Sequence, residues 1–276
     1  MDLTSSATLN NGVAMPWIGL GVFQSEPGSE AERAVRWALD AGYRHIDTAA
    51  YYENEESVGK AIRESDVDRD EVFVTTKVWN DRQGYEKALA AFDESRRKLD
   101  VDVVDLYLVH WPVKSDYRDT WRALEKLYSD GKVRAIGVSN FLVHHLSELS
   151  AESDITPAVN QVEFHPFVLQ QPLLHYCSEH GIQLEAWSPL TRARFLDNGT
   201  IVDIAKSHGK TPAQVLLRWD LEKEVVTIPK SVHRERIVEN AGVFDFQLTE
   251  EEVARLDSLD SNTRIGPHPD DVGGWR

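Results

Sequence analysis

Four residues of this chain carry proton-handling groups at the ends of apolar runs. Asp47 and Tyr52 stand five residues apart in GYRHIDTAAYYENEESVG, Lys77 follows VFVTT, and His110 follows DLYLV. A plain turn between strand and helix asks for Gly, Asn, Pro or Ser on backbone grounds. Asp47, Tyr51 and Tyr52 answer no such need. A lysine closing an apolar run is costly to bury without an anion, and Asp47 is the obvious counter-charge. Free tyrosine titrates at about 10, but a neighbouring ammonium favours the phenolate. Tyr52 beside Lys77 is therefore expected to have a lowered pKa and to protonate an oxygen on which negative charge develops. His110 can hold the same oxygen by a hydrogen bond. The set contains no nucleophile and no metal cage, so the electrons must come from a cofactor. Lys77 as a Schiff-base amine of a lyase or aldolase is the competing chemistry.

These groups need a scaffold that brings strand ends together. Short apolar runs recur at 43–46, 72–76, 104–109, 135–138, 158–162, 182–186, 225–228 and 242–244, with helical patterns between them. Thr249 with Glu252 reads as a capping box, Thr211 with Pro212 as a helix start, and Gly42, Gly131 and Gly181 as helix ends. Strands alternating with helices predict a (β/α)8 TIM barrel, in which functional groups sit at the C-terminal ends of strands. The doubly wound open sheet is the alternative, but GLGVFQ at 19–24 lacks the third glycine of a dinucleotide fingerprint. The N-terminal TLNNGVAMPWI predicts a hairpin turning at Asn11-Gly12 that plugs the bottom of the barrel. No linker interrupts 1–276, which reads as a single domain.

The chain has 46 acidic and 30 basic residues, a net charge of −16. Such a balance speaks against nucleic acid or an anionic membrane as a partner. It also fits an acidic surface adapted to high salt, the halophilic reading, beside that of an ordinary acidic protein. Without a leader or an apolar span, a soluble cytoplasmic protein is expected. The single Cys177 lies on an amphipathic pattern and reads as inert packing; Trp121, Trp219 and Phe92 read as core. Adjacent His144 and His145 are expected to point to different sides of a helix, so no metal site is expected.

With these motifs in view, the chain resembles the aldo-keto reductases, especially the short-looped microbial members typified by 2,5-diketo-D-gluconate reductases. The resemblance rests on GYRHIDTAAYYENEESVG, VFVTTKVW, DLYLVHWP, IGVSNF, VNQVEFHP and IPKSVHRERIVEN. It implies a catalytic tetrad of Asp47, Tyr52, Lys77 and His110, with NADPH/NADP+ as cofactor. Ser139, Asn140 and Gln161 match residues that hold the nicotinamide carboxamide, and Trp187 the aromatic that stacks on its ring, where many relatives have tyrosine. Lys230, Ser231 and Arg236 match the grip on the 2′-phosphate, and Glu239 and Asn240 the adenine contacts. Phe23, Tyr51, Trp79 and Trp111 are expected to line a pocket for a small carbonyl substrate. The implied activity is reduction of aldehydes, ketones or sugar-derived carbonyls by a monomer. An NADP(H)-binding regulatory subunit of the same fold is the alternative.

Overall fold

In the computed structural model, which describes residues 1–274, β3 (Leu20–Gly21), β4 (His45–Asp47), β5 (Phe73–Val78), β6 (Val104–Val109), β7 (Val133–Ser139), β8 (Val159–Glu163), β9 (Gln183–Trp187) and β10 (Val226–Thr227) form one sheet. Neighbours in the sheet are neighbours in sequence, and every pair is parallel. The two edges meet. Ile18 bridges to Thr227 and Gly21 to Lys230, and the Gly19 N–H donates to the Thr227 carbonyl at 2.9 Å. The sheet thus closes on itself as the expected (β/α)8 barrel.

One expected strand is replaced. Residues 242–244 are turn and irregular chain, and the remaining barrel strand is Leu20–Gly21. Two residues are too few to show a period. Closure here depends on glycine, because a Cβ on Gly21 would lie 2.9 Å from the Ile228 carbonyl oxygen. The apolar character of 242–244 has another cause: Val243 is fully buried, and its carbonyl accepts from Arg218.

Helices α1 (Ser29–Asp40), α2 (Glu55–Arg63), α3 (Tyr85–Leu99), α4 (Tyr117–Ser129), α5 (Val143–Ser150), α6 (Gln171–Glu179), α7 (Gly199–His208), α8 (Pro212–Glu222), α9 (Arg234–Ala241) and α10 (Glu250–Asp257) complete the chain order. In α1 the buried positions are Ala31, Ala34, Val35, Ala38 and Leu39, the spacing of one helical face, and Ala34, Val35, Ala38 and Leu39 join the main core. Each fully buried Val, Leu, Ile, Phe or Met side chain in that core is worth about 1.5–3 kcal/mol, and each alanine less. The expected caps form: Thr211 with Gln214 ahead of α8, and Thr249 with Glu252 ahead of α10.

The hairpin β1 (Ser6–Thr8) and β2 (Ala14–Pro16) turns through Gly12 at φ +84°. Its Ala7, Leu9 and Met15 pack on Phe73, Leu106, Leu108, Ala135, Val159 and Val226 inside the barrel. Asn10 and Asn11 donate to the carbonyls of Pro157 and Arg134, just before β8 and in β7. The bottom is sealed, as expected, and the C-terminal ends of the strands are left for function. Among the described residues no helix is long and apolar enough to cross a membrane.

Candidate active site

Asp47 is the last residue of β4, and Lys77 lies one strand over on β5, where Asp47 pairs with Thr75. Lys77 is 0% and Asp47 2% exposed. The Lys77 ammonium donates to Asp47 Oδ1 at 2.7 Å, to Oδ2 at 2.8 Å and to the Thr48 carbonyl at 2.9 Å. Burial raises the Asp47 carboxyl and Lys77 pulls it back; for Lys77 burial is outweighed by the attraction of Asp47 and Tyr52, which raises the ammonium. Geometry this tight holds the pair as an ion pair.

Tyr52 follows in the turn between β4 and α2. That turn is fixed by Asn54, whose side chain accepts from Thr48 Oγ1 and donates to the carbonyls of Val22 and Ser25. The Lys77 nitrogen lies 5.1 Å from the centre of the Tyr52 ring. The expected lowering of the Tyr52 pKa does not result. Burial raises the hydroxyl to about 12, against the opposing attraction of Lys77 and with help from the charges of Asp47 and Glu185. Desolvation outweighs one ammonium whose charge is already matched by a carboxylate.

His110 comes directly after β6. Its ring is edge-on to Trp79 at 5.0 Å and to Tyr52 at 5.7 Å between centres. Burial, with Lys77 nearby, holds it well below the ordinary imidazole range, so it is neutral. Asp47, Tyr52 and His110 face one cavity of about 460 Å³, with Lys77 behind its wall.

The same cavity takes in Phe23, Tyr51, Trp79 and Trp111, the expected substrate wall, with Tyr51 stacked on Trp79 at 3.8 Å. It also takes in Ser139, Asn140, Gln161, Trp187 and Lys230. Apart from Lys230, these residues are tied to one another. Ser139 Oγ donates to the Gln161 carbonyl, Asn140 Nδ2 donates to the His110 carbonyl and Ser139 Oγ, and the Trp187 indole N–H donates to Asn140 Oδ1 at 2.8 Å. A tyrosine in place of Trp187 would have no N–H to donate there. Ser231, Arg236, Glu239 and Asn240 are not in the cavity wall; they lie on the adjoining loop and α9. Arg236 is exposed, Asn240 is buried, and Glu239 accepts from Thr211 Oγ1 at 2.9 Å.

Sequence reasoning missed Arg192 and the segment Ile265, Gly266 and Pro267, all of which line the cavity. Arg192 is 5.7 Å from the Phe23 ring and has a left-handed φ of +49°. Its only signal was a basic residue in an acidic chain. The later segment is held by the buried Glu163 carboxylate, which accepts from the N–H groups of Ile265 and Gly266. A Cβ on Gly266 would lie 2.4 Å from the Trp187 ring, so any other residue there would have to displace that ring.

A model of the aldo/keto reductase family matches residues 17–261. The chain belongs to the aldo/keto reductase family. It is 57% identical to the glyoxal reductase of Bacillus subtilis (strain 168), over 98% of both chains. To the methylglyoxal reductase DkgA of Escherichia coli (strain K12) it is 44% identical, over 96% of this chain and 97% of that one. The crystal structure of a Bombyx mori aldo-keto reductase in complex with NADP superposes with a TM-score of 0.90 at 38% identity, over 96% of this chain and 95% of that one.

Two side features of this aldo-keto reductase bear on the sequence reading. Cys177 is buried and its thiol is raised to about 12 by burial, which keeps it a neutral packing group. His144 and His145 do not point apart: their rings are 3.9 Å between centres, and their Nε2 atoms lie 3.1 and 3.4 Å from Asp270 Oδ1. Rotamers that lean both rings toward one carboxylate override the helical spacing. His145 Nδ1 accepts the Leu142 N–H, so in the neutral ring Nε2 carries the hydrogen toward Asp270 and offers no lone pair to an ion.

Proposed function

We infer that this chain is an NADPH-dependent reductase of small aldehydes and ketones, with sugar-derived carbonyls and α-dicarbonyls in its range. One arrangement carries the reading: Tyr52 and His110 meet in a single cavity backed by the sealed Lys77–Asp47 pair.

The residues present suit a nicotinamide dinucleotide phosphate. Trp187 offers an indole to the ring, and Ser139, Asn140 and Gln161 offer polar groups to the carboxamide. Among the described residues neither Lys230 nor Arg236 forms an ion pair, although acidic residues outnumber basic ones 46 to 30. Uncompensated cations of this kind, beside Ser231, suit a 2′-phosphate, with Arg236 presenting a planar fork; the resemblance assigns Glu239 and Asn240 to the adenine.

When bound, the dihydronicotinamide supplies a hydride to the carbonyl carbon. Tyr52 supplies the proton to the carbonyl oxygen. Its hydroxyl is fully protonated at neutral pH, and the Lys77 ammonium stabilises the phenolate that forms as the proton leaves. Asp47 keeps Lys77 charged in a sealed site. His110, neutral, donates a hydrogen bond to the same oxygen and fixes its direction. The rings of Phe23, Tyr51, Trp79 and Trp111 exclude water and receive the body of the substrate.

Names of the two bacterial relatives direct the first substrates to glyoxal and methylglyoxal. The test is NADPH consumption with these two, a sugar aldehyde and an aromatic aldehyde, by the protein and by its Tyr52→Phe variant. Tight NADPH binding without turnover of any carbonyl would overturn the reading in favour of a regulatory binding protein.

A further inference from the structure

Glu185 is a buried acid that the proposed reaction leaves without a role. It sits on β9 in register with Gln161 of β8 and is fully sealed from solvent. Its Oε2 accepts from Gln161 Nε2 at 2.8 Å, and the same nitrogen donates to Asp47 Oδ2 at 2.7 Å. A primary amide nitrogen has two hydrogens, and here carboxyl groups take both. Turning the amide over would set its carbonyl oxygen against the Asp47 carboxylate, which Lys77 holds ionised. What Gln161 has left for the cavity is an acceptor alone.

Building on the reading of that cavity as a nicotinamide site, we propose that Glu185 is a positioning residue that, together with Asp47, locks the Gln161 carboxamide with Oε1 as its only free group, matched to the N–H bonds of the nicotinamide carboxamide. The group acts through Gln161 and touches no reacting atom.

The charges around it give the device a signature. The titratable groups facing Glu185 are Asp47 and His45 on β4, Lys77 on β5 and Tyr52 in the turn after β4; Gln161 and Val226, its register partners on β8 and β10, do not titrate. His45 Nε2 lies 3.6 Å from Glu185 Oε1 and 3.1 Å from Thr75 Oγ1, and burial, aided by Lys77, lowers that ring to about 3, so it is neutral. Burial and the Asp47 charge raise Glu185 to about 8. At neutral pH the cluster is therefore one carboxylate, one ammonium and one carboxylic acid. Above about pH 8 it gains a negative charge, which favours a cationic oxidised nicotinamide over the neutral reduced one.

The experiment measures NADPH and NADP+ dissociation constants by quenching of tryptophan fluorescence, between about pH 6 and about pH 9, for wild type, Glu185→Gln and Glu185→Leu. Thermal melts establish that each is folded. In wild type the affinity for NADP+ relative to NADPH should rise by roughly threefold or more as pH passes through about 8. Glu185→Gln keeps an acceptor for Gln161, so its NADPH affinity should stay within about threefold of wild type while the pH-dependent ratio disappears. Glu185→Leu should weaken both nucleotides by about tenfold. Folded Glu185→Leu that binds like wild type would overturn the inference. So would Glu185→Gln that keeps the pH-dependent ratio, and this arm decides the matter if the leucine variant does not fold. Wild type that binds neither nucleotide would overturn the nicotinamide reading and the inference with it; binding by wild type that neither substitution affects overturns the inference alone.

Discussion

The Lys77 ammonium lies 2.7 and 2.8 Å from the two oxygens of the Asp47 carboxylate, with both side chains out of reach of solvent. Removing one partner leaves the other buried and unmatched, a loss of about 3–5 kcal/mol. Lys77→Met should therefore lower the urea midpoint markedly, and adding Asp47→Asn should restore part of the loss. If Lys77→Met unfolds at the wild-type urea concentration, the pair does not hold the site together.

Tyr52→Phe should abolish nearly all carbonyl reduction and leave NADPH affinity within a few fold, because the hydroxyl serves proton delivery and little else. Steady-state kinetics beside a fluorescence titration separate the two. Retention of more than about a tenth of kcat would point to another proton donor, His110 first.

Arg236 is exposed on α9 and ion-paired with nothing among the described residues. Its replacement by alanine should weaken NADPH binding by about 1–3 kcal/mol and leave NADH binding nearly unchanged. Equal losses for both nucleotides would assign the arginine to the adenine pocket or to the fold instead.

Glu185 makes stability depend on pH with a definite sign. Its folded-state pKa is raised from 4.5 to about 8. Such a carboxyl adds stability that is complete below about pH 4.5, shrinks as pH rises and is gone above about pH 8. A glutamine there does not titrate. The thermal midpoint of Glu185→Gln minus that of wild type should thus climb between about pH 5 and about pH 8 and level off beyond it. Asp220, whose carboxyl burial also raises, is present in both proteins and cancels. A difference that is flat across this range would contradict a raised Glu185.

The net charge of −16 sets a salt test. Surface carboxylates repel over about 30 Å at 0.01 M salt and over only about 3 Å at 1 M. If the acidic surface is an adaptation to salt, the thermal midpoint should rise from about 0.1 M to about 2 M KCl while the KM for NADPH climbs, since phosphate contacts at Lys230 and Arg236 are screened. A midpoint that stays level or falls would leave an ordinary acidic surface.

By itself the sequence determined the barrel and which ionisable groups stand at its mouth. Alternating apolar runs and capped helices report local periodicity, and local periodicity is what a strand, a helix and their order depend on. Ionisable residues at strand ends were legible for the same reason, since the barrel sends each strand's end to one rim; Asp47, Lys77 and His110 needed no more than that. The tertiary structure decided whatever hangs on contacts between distant segments. Leu20–Gly21 is a strand because it pairs with β4 and, at closure, Gly21 also bridges to Lys230 beyond β10, contacts that two residues of sequence cannot announce. Ile265 and Gly266 enter the cavity through Glu163, 102 and 103 residues away in sequence. Tyr52 was expected to be acidified by Lys77, yet the depth of burial, which no spacing of residues records, outweighs the ammonium and raises it. Glu185 reads in sequence as one more acid in an acidic chain. Its meeting with Asp47 on a single amide nitrogen exists only once β4, β8 and β9 are rolled into the same barrel.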